Sequence, residues 1–322
     1  VKRVLITGAS GFVGANLTRR FVTMGAEVHV LIPPGSDLWR LADLEGGVDI
    51  RSVDVSDATA VVEAVQAIRP QWVFNLAAHG AYSFQRDVRR MVSTNVLGTV
   101  NLLAAAMDFG FDAFVHAGSS SEYGYKGHAP RETERLEPNS EYAVTKASAT
   151  LYCEYVGRST GAPVRTLRLY SVFGPWEEPT RLMPTLVLAG LRGELPPLVR
   201  PETARDFVYT EDVVDAFILA AERPGQEPGA VYNVGRGVQT TLAELVALAR
   251  RVLNVGAAPN WGSMAGRSWD TDIWVADPSA IRSSLGWVPR YDVAEGFRCM
   301  VDWLRDHPRV MEWYERKRAV PV

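Results

Sequence analysis

Cysteine is scarce: Cys153 and Cys299 are the only two in 322 residues. They would allow one bridge, but so few in a chain this long fit a reducing compartment, and a cytoplasmic protein is expected. Cysteine and histidine form no cluster at ligand spacing, so no metal is expected. No apolar run approaches the roughly eighteen residues of a membrane span, and no membrane partner is expected. The first strand follows Val1-Lys2-Arg3 at once, too soon for the apolar core of a signal peptide. Long basic runs are missing as well. The net charge is −3 and the pI about 6.0, which argues against nucleic acid as a main partner. Internal repeats and low-complexity tracts are absent. What remains is a chain 47% hydrophobic and 22% charged, long enough for two domains or for one large domain with a lobe. A chain of this length buries roughly 75% of its unfolded surface and has room for a deep cleft.

Short β-rich runs alternate with amphipathic segments through the first half. Residues 4–7, 27–32, 49–53, 72–76, 113–117 and 164–169 read as strands, and 14–24, 57–68, 92–109 and 140–159 as helices. That alternation predicts the α/β class, a doubly wound parallel sheet covered on both faces. After Phe173 the rhythm changes. Prolines gather at 175, 179, 184, 196, 197 and 201, and tryptophans at 261, 269, 274 and 287. We expect a first domain over residues 1–172 that also receives about 205–223. A smaller, interleaved substrate lobe over 173–322 is expected to follow. Sheets of this class bind ligands beyond the carboxyl ends of the strands, where strand order reverses, so residues just after each strand matter most.

One such stretch is Thr7-Gly8-Ala9-Ser10-Gly11-Phe12-Val13-Gly14, directly behind the first strand. Its glycines permit a tight turn and bring backbone N–H groups close to a phosphate at a helix start. The spacing is G-x-x-G-x-x-G rather than G-x-G-x-x-G, and a glycine turn alone can be merely structural. Further on, Tyr142 and Lys146 lie four apart on one helical face. An ammonium about 4 Å from a phenol, at an effective dielectric near 20, favours phenolate by about 4 kcal/mol, or roughly three pKa units. That would bring a phenol into range for proton transfer. Ser119, Ser120 and Ser121 follow the fifth strand, where a hydroxyl would hold a substrate oxygen. Taken singly, each has a bland reading: a packed ring, a solvated amine, a turn of serines. Their joint occurrence in this order, each at the cleft edge, makes chance much less attractive.

With these stand Asp54-Val55-Ser56-Asp57, Asn75-Leu76-Ala77-Ala78 and Thr94-Asn95-Val96-Leu97-Gly98-Thr99. Gly118-Ser119-Ser120-Ser121-Glu122-Tyr123-Gly124, Pro138-Asn139-Ser140-Glu141-Tyr142-Ala143-Val144-Thr145-Lys146 and Arg205-Asp206-Phe207-Val208-Tyr209 complete the set. Over nearly its whole length the chain resembles the extended short-chain dehydrogenase/reductases, in the branch that modifies nucleotide-linked sugars. The resemblance implies a Rossmann-type fold, an NAD or NADP cofactor and a nucleoside-diphosphate sugar as partner. It also implies a homodimer built on helices 92–109 and 140–159, through the alanine-rich faces 103–107 and 143–149. By the same resemblance Tyr142 is the acid/base, Lys146 binds the nicotinamide ribose and lowers the phenol, and Ser119 holds the reacting sugar oxygen. Gly8, Gly11 and Gly14, with Phe12 and Val13 between them, would surround the pyrophosphate. Asp54 and Val55 would lie near the adenine, with Leu76, Ala77, Ala78 and Asn95 along the dinucleotide. Ser120, Ser121, His79 and Ser171 would face the sugar. Arg205 would reach its phosphates, with Arg267 a second candidate.

Three departures shape the expected reaction. Family dehydratases carry an Asp-Glu or Ser-Glu pair right after the catalytic hydroxyl. Here Ser120 and Ser121 stand in those places, with Glu122 one position late. We read Glu122 as a cap or solvent-facing charge rather than an acid. Family epimerases commonly carry asparagine where this chain has Ser171. The loop after the second strand has no acid to bind ribose hydroxyls, whereas Ser36 and Arg40 would suit a 2′-phosphate. NADP is therefore expected over NAD. A 4-ketoreductase is the preferred reading, with a 4-epimerase close beside it and a 4,6-dehydratase behind both. The rival from another class is a non-catalytic dinucleotide-sensing protein on the same fold.

Overall fold

The computed structural model describes residues 2–44, 46–223, 227–266 and 271–319. Its first half alternates β1 (Arg3–Thr7), α1 (Phe12–Thr23), β2 (Glu27–Ile32), β3 (Asp49–Ser52), α2 (Ala58–Ile68) and β4 (Trp72–Asn75). Helices α3 (Val88–Met91) and α4 (Gly98–Phe109) are joined through a π turn, Val92–Leu97. Strand β5 (Ala113–Ser119), helix α5 (Glu141–Thr160) and strand β6 (Val164–Leu169) complete the half. All six expected strands form. The helix expected at 92–109 begins four residues early and is wound wider in its middle, a change sequence periodicity does not register.

The second half holds β7 (Ser171–Phe173), α6 (Leu182–Leu191), β8 (Ala204–Arg205), β9 (Phe207–Tyr209), α7 (Thr210–Glu222) and β10 (Ala230–Val234). It continues with β11 (Thr240–Thr241), α8 (Leu242–Leu253), α9 (Ser279–Leu285), α10 (Val293–Asp306) and α11 (Pro308–Ala319).

The main sheet has seven parallel strands in the order β10-β6-β5-β4-β1-β2-β3. Its order reverses between β1 and β4, the crevice expected for a dinucleotide. Side chains alternate between two covered faces. Val4, Ile6, Val30 and Phe74 meet α1 and α7 on one side, while Leu5, Leu31, Val73 and Phe114 meet α2, α4 and α5 on the other. Both faces are buried, so these strands read as continuous apolar runs.

The strand within 206–222 does not return to this sheet. It is β9, which pairs with β7 in a separate parallel ribbon. What returns is α7, with Val213, Val214 and Phe217 packed on the sheet. The seventh strand is β10, a segment to which the sequence reading gave no role. Helix α9 follows it back onto the same core through Ile281 and Leu285. The lobe has its own core, where Phe173, Leu186, Leu245, Phe297 and Leu304 are buried together. Helix α11 closes against the first domain's edge. Trp313 stacks on Trp39 at 3.9 Å, and the Tyr314 hydroxyl donates to the Glu177 carbonyl at 2.6 Å.

Asp206, wholly buried, ties the lobe's loops together. Its carboxylate accepts the backbone N–H groups of Arg236 (2.8 Å), Gly237 (2.9 Å) and Ala276 (3.0 Å). Asp206→Ala removes the acceptor of three backbone N–H groups, that of Ala276 buried, so urea unfolding is expected to show a loss of about 2 kcal/mol or more. A loss below about 1 kcal/mol would contradict this account.

Candidate active site

Strand ends and helix starts converge where the sheet order reverses. Gly8 adopts φ +70, and a Cβ there would stand 2.5 Å from the Leu76 carbonyl and 2.6 Å from the Ala77 nitrogen. A Cβ on Gly14 would stand 2.2 Å from the Gly8 carbonyl oxygen. Only glycine lets α1 approach β1 and β4 this closely. Gly11 precedes α1 without a side-chain cap, and the first turn carries no acidic residue. Its unpaired N–H groups and positive dipole end therefore face outward, with Phe12 and Val13 partly exposed beside them. This cradle fits a pyrophosphate. Along the same edge Asp54, partly exposed, accepts from the Ser56 backbone (2.9 Å) and hydroxyl (2.7 Å). Val55 is buried, and its carbonyl takes the Asn101 amide at 3.0 Å.

The expected 2′-phosphate contacts are corrected by the geometry. The Ser36 hydroxyl donates to the Pro33 carbonyl of its own turn at 2.8 Å. Arg40 is buried, donating to the Trp176 carbonyl (2.7 Å), the Ser10 carbonyl (3.2 Å) and Glu178 (3.3 Å). Its guanidinium braces the glycine turn from behind and has no face left for a ligand.

A buried row of hydrogen bonds links this cradle to the start of α5. The Ala77 N–H donates to the Thr7 hydroxyl (3.2 Å), which donates to the Asn75 side chain (2.8 Å). Asn75 donates to the Thr99 hydroxyl (2.9 Å), and Thr99 to the Asn95 carbonyl (2.7 Å). The Asn95 amide grips both the N–H and the carbonyl of His79, at 2.8 and 2.9 Å, and donates to the Thr145 hydroxyl at 2.8 Å. Thr145 donates in turn to the Tyr142 carbonyl at 2.9 Å. Asn95, expected along the dinucleotide, is thus an enclosed brace at the π turn. Leu76, Ala77 and Ala78 run past it toward solvent.

At the far end of the row Tyr142 is partly exposed, and its hydroxyl is hydrogen-bonded with Ser119. The Ser119 hydroxyl also meets that of Ser121 at 2.8 Å. Lys146, buried one turn along α5, donates to the Ala117 carbonyl at 2.5 Å. Burial pulls its ammonium down to about 8. The expected lowering of the phenol is reversed. Enclosure pushes Tyr142 up to about 12, Glu122 and Tyr82 add to the rise, and the Ser119 bond and Arg181 oppose it. Loss of solvent is the largest influence, and Lys146 is not among the groups that act on the phenol.

Glu122 is a cap, as expected, but it does not face solvent. It completes a capping box with Ser119 and is wholly buried against Arg168. On the lobe side Ser171 lies in β7, its N–H donating to the Asp206 carbonyl at 3.0 Å. The Arg205 guanidinium, 5.5 Å from the Trp274 ring centre, donates to the Ala204 carbonyl at 2.7 Å. The Trp274 indole N–H donates to the Ser120 hydroxyl at 3.2 Å, so this tryptophan covers the serine loop from the lobe. Only the tryptophan cluster hinted at it. Arg267 lies outside the described residues. His79 lines the cleft edge, its imidazole held below the usual histidine range by burial and by Arg90.

Residues 4–235 match the NAD dependent epimerase/dehydratase family. The dTDP-glucose 4,6-dehydratase of Streptomyces griseus is 30% identical, over 97% of this chain and 96% of its own. Among solved structures, the UDP-glucose 4-epimerase of Thermotoga maritima, determined with UDP-glucose, is 26% identical with a TM-score of 0.85, over 95% of this chain and 99% of its own. The UDP-glucose 4-epimerase of Thermus thermophilus, determined with NAD, is 29% identical with a TM-score of 0.82, over 94% and 99%.

Gly8→Ala drives a methyl group into the Leu76 carbonyl. Titration of tryptophan fluorescence with NAD is expected to show affinity reduced by about tenfold or more. Unchanged affinity would remove the glycine turn from the binding site.

Proposed function

Because the chain belongs to the NAD dependent epimerase/dehydratase family, we propose that it is a nucleoside-diphosphate-sugar 4-epimerase that uses NAD. One observation carries the choice of reaction. The Tyr142–Ser119 hydroxyl pair lies at the cleft with Ser120 and Ser121 in the places of an acid pair, and the neighbouring carboxylate, Glu122, is locked inward on Arg168. Removing water from a sugar requires a base at one carbon and an acid at its neighbour. Epimerisation requires the first alone.

Support for NAD comes from the inward engagement of Ser36 and Arg40, together with the NAD in the Thermus relative. The ketoreductase preference drew on three departures in the sequence, and one of them, an NADP site at these two residues, loses its support here. Dehydration remains the second reading, favoured by the Streptomyces relative.

In the proposed reaction Tyr142 takes the proton of the sugar C4 hydroxyl and later returns it to the same oxygen, while Ser119 steadies that oxygen by hydrogen bonding. Lys146 holds ribose hydroxyls and offsets negative charge on the phenolate. NAD, held by the glycine turn and Lys146, would supply reversible hydride acceptance at C4 and a positive charge beside the phenol. The configuration inverts because the keto-sugar turns over between the two transfers and presents its opposite face, with no net reduction. Arg205 grips the diphosphate from the lobe.

The free thiols Cys153 and Cys299 support a reducing compartment such as the cytoplasm. A homodimer is part of this reading, through only some residues of the faces first expected, where Met107 and Val144 are exposed. Leu103, Ala105, Ala106, Ala143, Ala147 and Ala149 are buried within the protomer. Exposed on the same pair of helices and the adjoining π turn are Leu97, Val144, Leu151 and Tyr155, the last at 67%. Light scattering is expected to give a dimer, and Leu151→Glu a monomer. A monomeric parent protein would end the dimer proposal.

Incubation with NAD and UDP-glucose, followed by NMR of the sugar, is expected to yield the C4 epimer with no net accumulation of NADH. Tyr142→Phe should slow this by about a hundredfold or more while still binding NAD. Formation of a 4-keto-6-deoxy sugar would replace the proposal with dehydration, and stoichiometric oxidation of added NADH with a keto-sugar would replace it with reduction.

A further inference from the structure

The proposed reaction leaves Glu122 without a task, yet both of its oxygens are engaged in the interior. Oε1 accepts the Ser119 N–H at 2.7 Å and the Thr150 hydroxyl at 2.9 Å, and Oε2 accepts Arg168 Nε at 2.7 Å. Arg168 extends the arrangement to the Tyr123 hydroxyl (2.8 Å) and the Glu132 carbonyl (3.1 Å), and Tyr123 donates to Asn233 at 2.8 Å. A buried ion pair is weak evidence for stability, because apolar residues of the same volume commonly do as well. Its geometry points elsewhere. Thr150 lies one helical turn after Lys146 on α5, so the Oε1 edge of Glu122 faces the turn that carries the buried ammonium.

The groups facing Glu122 come from several elements. Ser119 and Tyr123 flank it on its own segment, Arg168 reaches it from β6, and Tyr142, Lys146 and Cys153 act on it from α5, with Glu132 behind Arg168. Tyr142, Tyr123 and Cys153 are each pushed up to about 12 and carry no charge near neutrality.

We propose that Glu122 is a positioning residue with two effects: it fixes the backbone of the catalytic serine, and it supplies the counter-charge for the Lys146 ammonium. Arg168 holds the carboxylate in place from the opposite side. The proposal rests on the reading of Ser119, Tyr142 and Lys146 as the working groups.

Lysine titration tests this without turnover. The chain has four lysines, Lys2, Lys126, Lys146 and Lys317, so carbon-13 labelling of lysine resolves each by NMR. In the parent protein Lys146 is expected to titrate near 8. Glu122→Gln keeps an acceptor for Ser119 but removes a negative charge that favours the protonated amine. The Lys146 midpoint should therefore fall by about one pH unit, and the alkaline limb of kcat/KM should fall with it. Glu122→Asp retains the charge and should leave that midpoint within about 0.3 unit while lowering kcat through a looser serine loop. Should Glu122→Gln fail to fold with Arg168 unpaired, a Glu122→Gln/Arg168→Gln double variant is measured, with the same downward direction expected. An unmoved Lys146 midpoint in a folded Gln variant overturns the proposal, as does an Asp variant that shifts as far as Gln. A shift in the midpoint without any epimer formed would retain this inference and sink the epimerase reading instead.

Discussion

Enclosed polar groups at the carboxyl edge of a parallel sheet must find partners, and here that requirement organises the site. The row from Ala77 through Thr7, Asn75, Thr99, Asn95 and Thr145 ends at the Tyr142 carbonyl. It fastens the backbone bordering the cradle to the first turn of the helix that presents the phenol. A second fastening is the bond from Lys146 to the Ala117 carbonyl, two residues before Ser119. Neither strand ends nor helix starts can drift independently. Under the proposed mechanism, the placement of the phenol is thus set by bonds that never touch a substrate.

The same enclosure that fixes geometry also sets an energetic problem. Surrounded by protein, a phenol resists ionisation and an amine resists protonation, and both shifts here run in that direction. The working charge state must therefore be assembled from several sources. A lysine alone does not suffice, and the proposed mechanism calls on a carboxylate in the interior and on the positive charge that bound NAD would bring to the cleft.

Much of this was legible in the sequence. Strands and helices of the first half follow from periodicity and breakers, and the glycine turn, Ser119, Tyr142 and Lys146 announce themselves by position relative to those elements. What was not legible depends on distant partners. Arg40 reads as a phosphate ligand until Trp176, 136 residues away, is seen accepting from it. Glu122 reads as solvent-facing until Arg168 arrives from the next strand. Strand β10 is a five-residue run whose role depends on an open edge at β6 rather than on its own pattern. Trp274 is one tryptophan among several until its indole meets Ser120. Local pattern specifies elements, whereas the aim of a long side chain is decided by whatever the fold brings to it.

The docking of α11 has a temporal meaning. Trp313 and Tyr314 complete the wall formed by Trp39, Trp176 and Glu177, and Arg40 joins that wall to the glycine turn. A loop and a helix far apart in sequence must therefore meet before the edge that carries the glycine turn is braced. A chain cut before residue 313 would carry every glycine of the turn and still lack this backing, so support for the turn forms only once the two distant segments have joined.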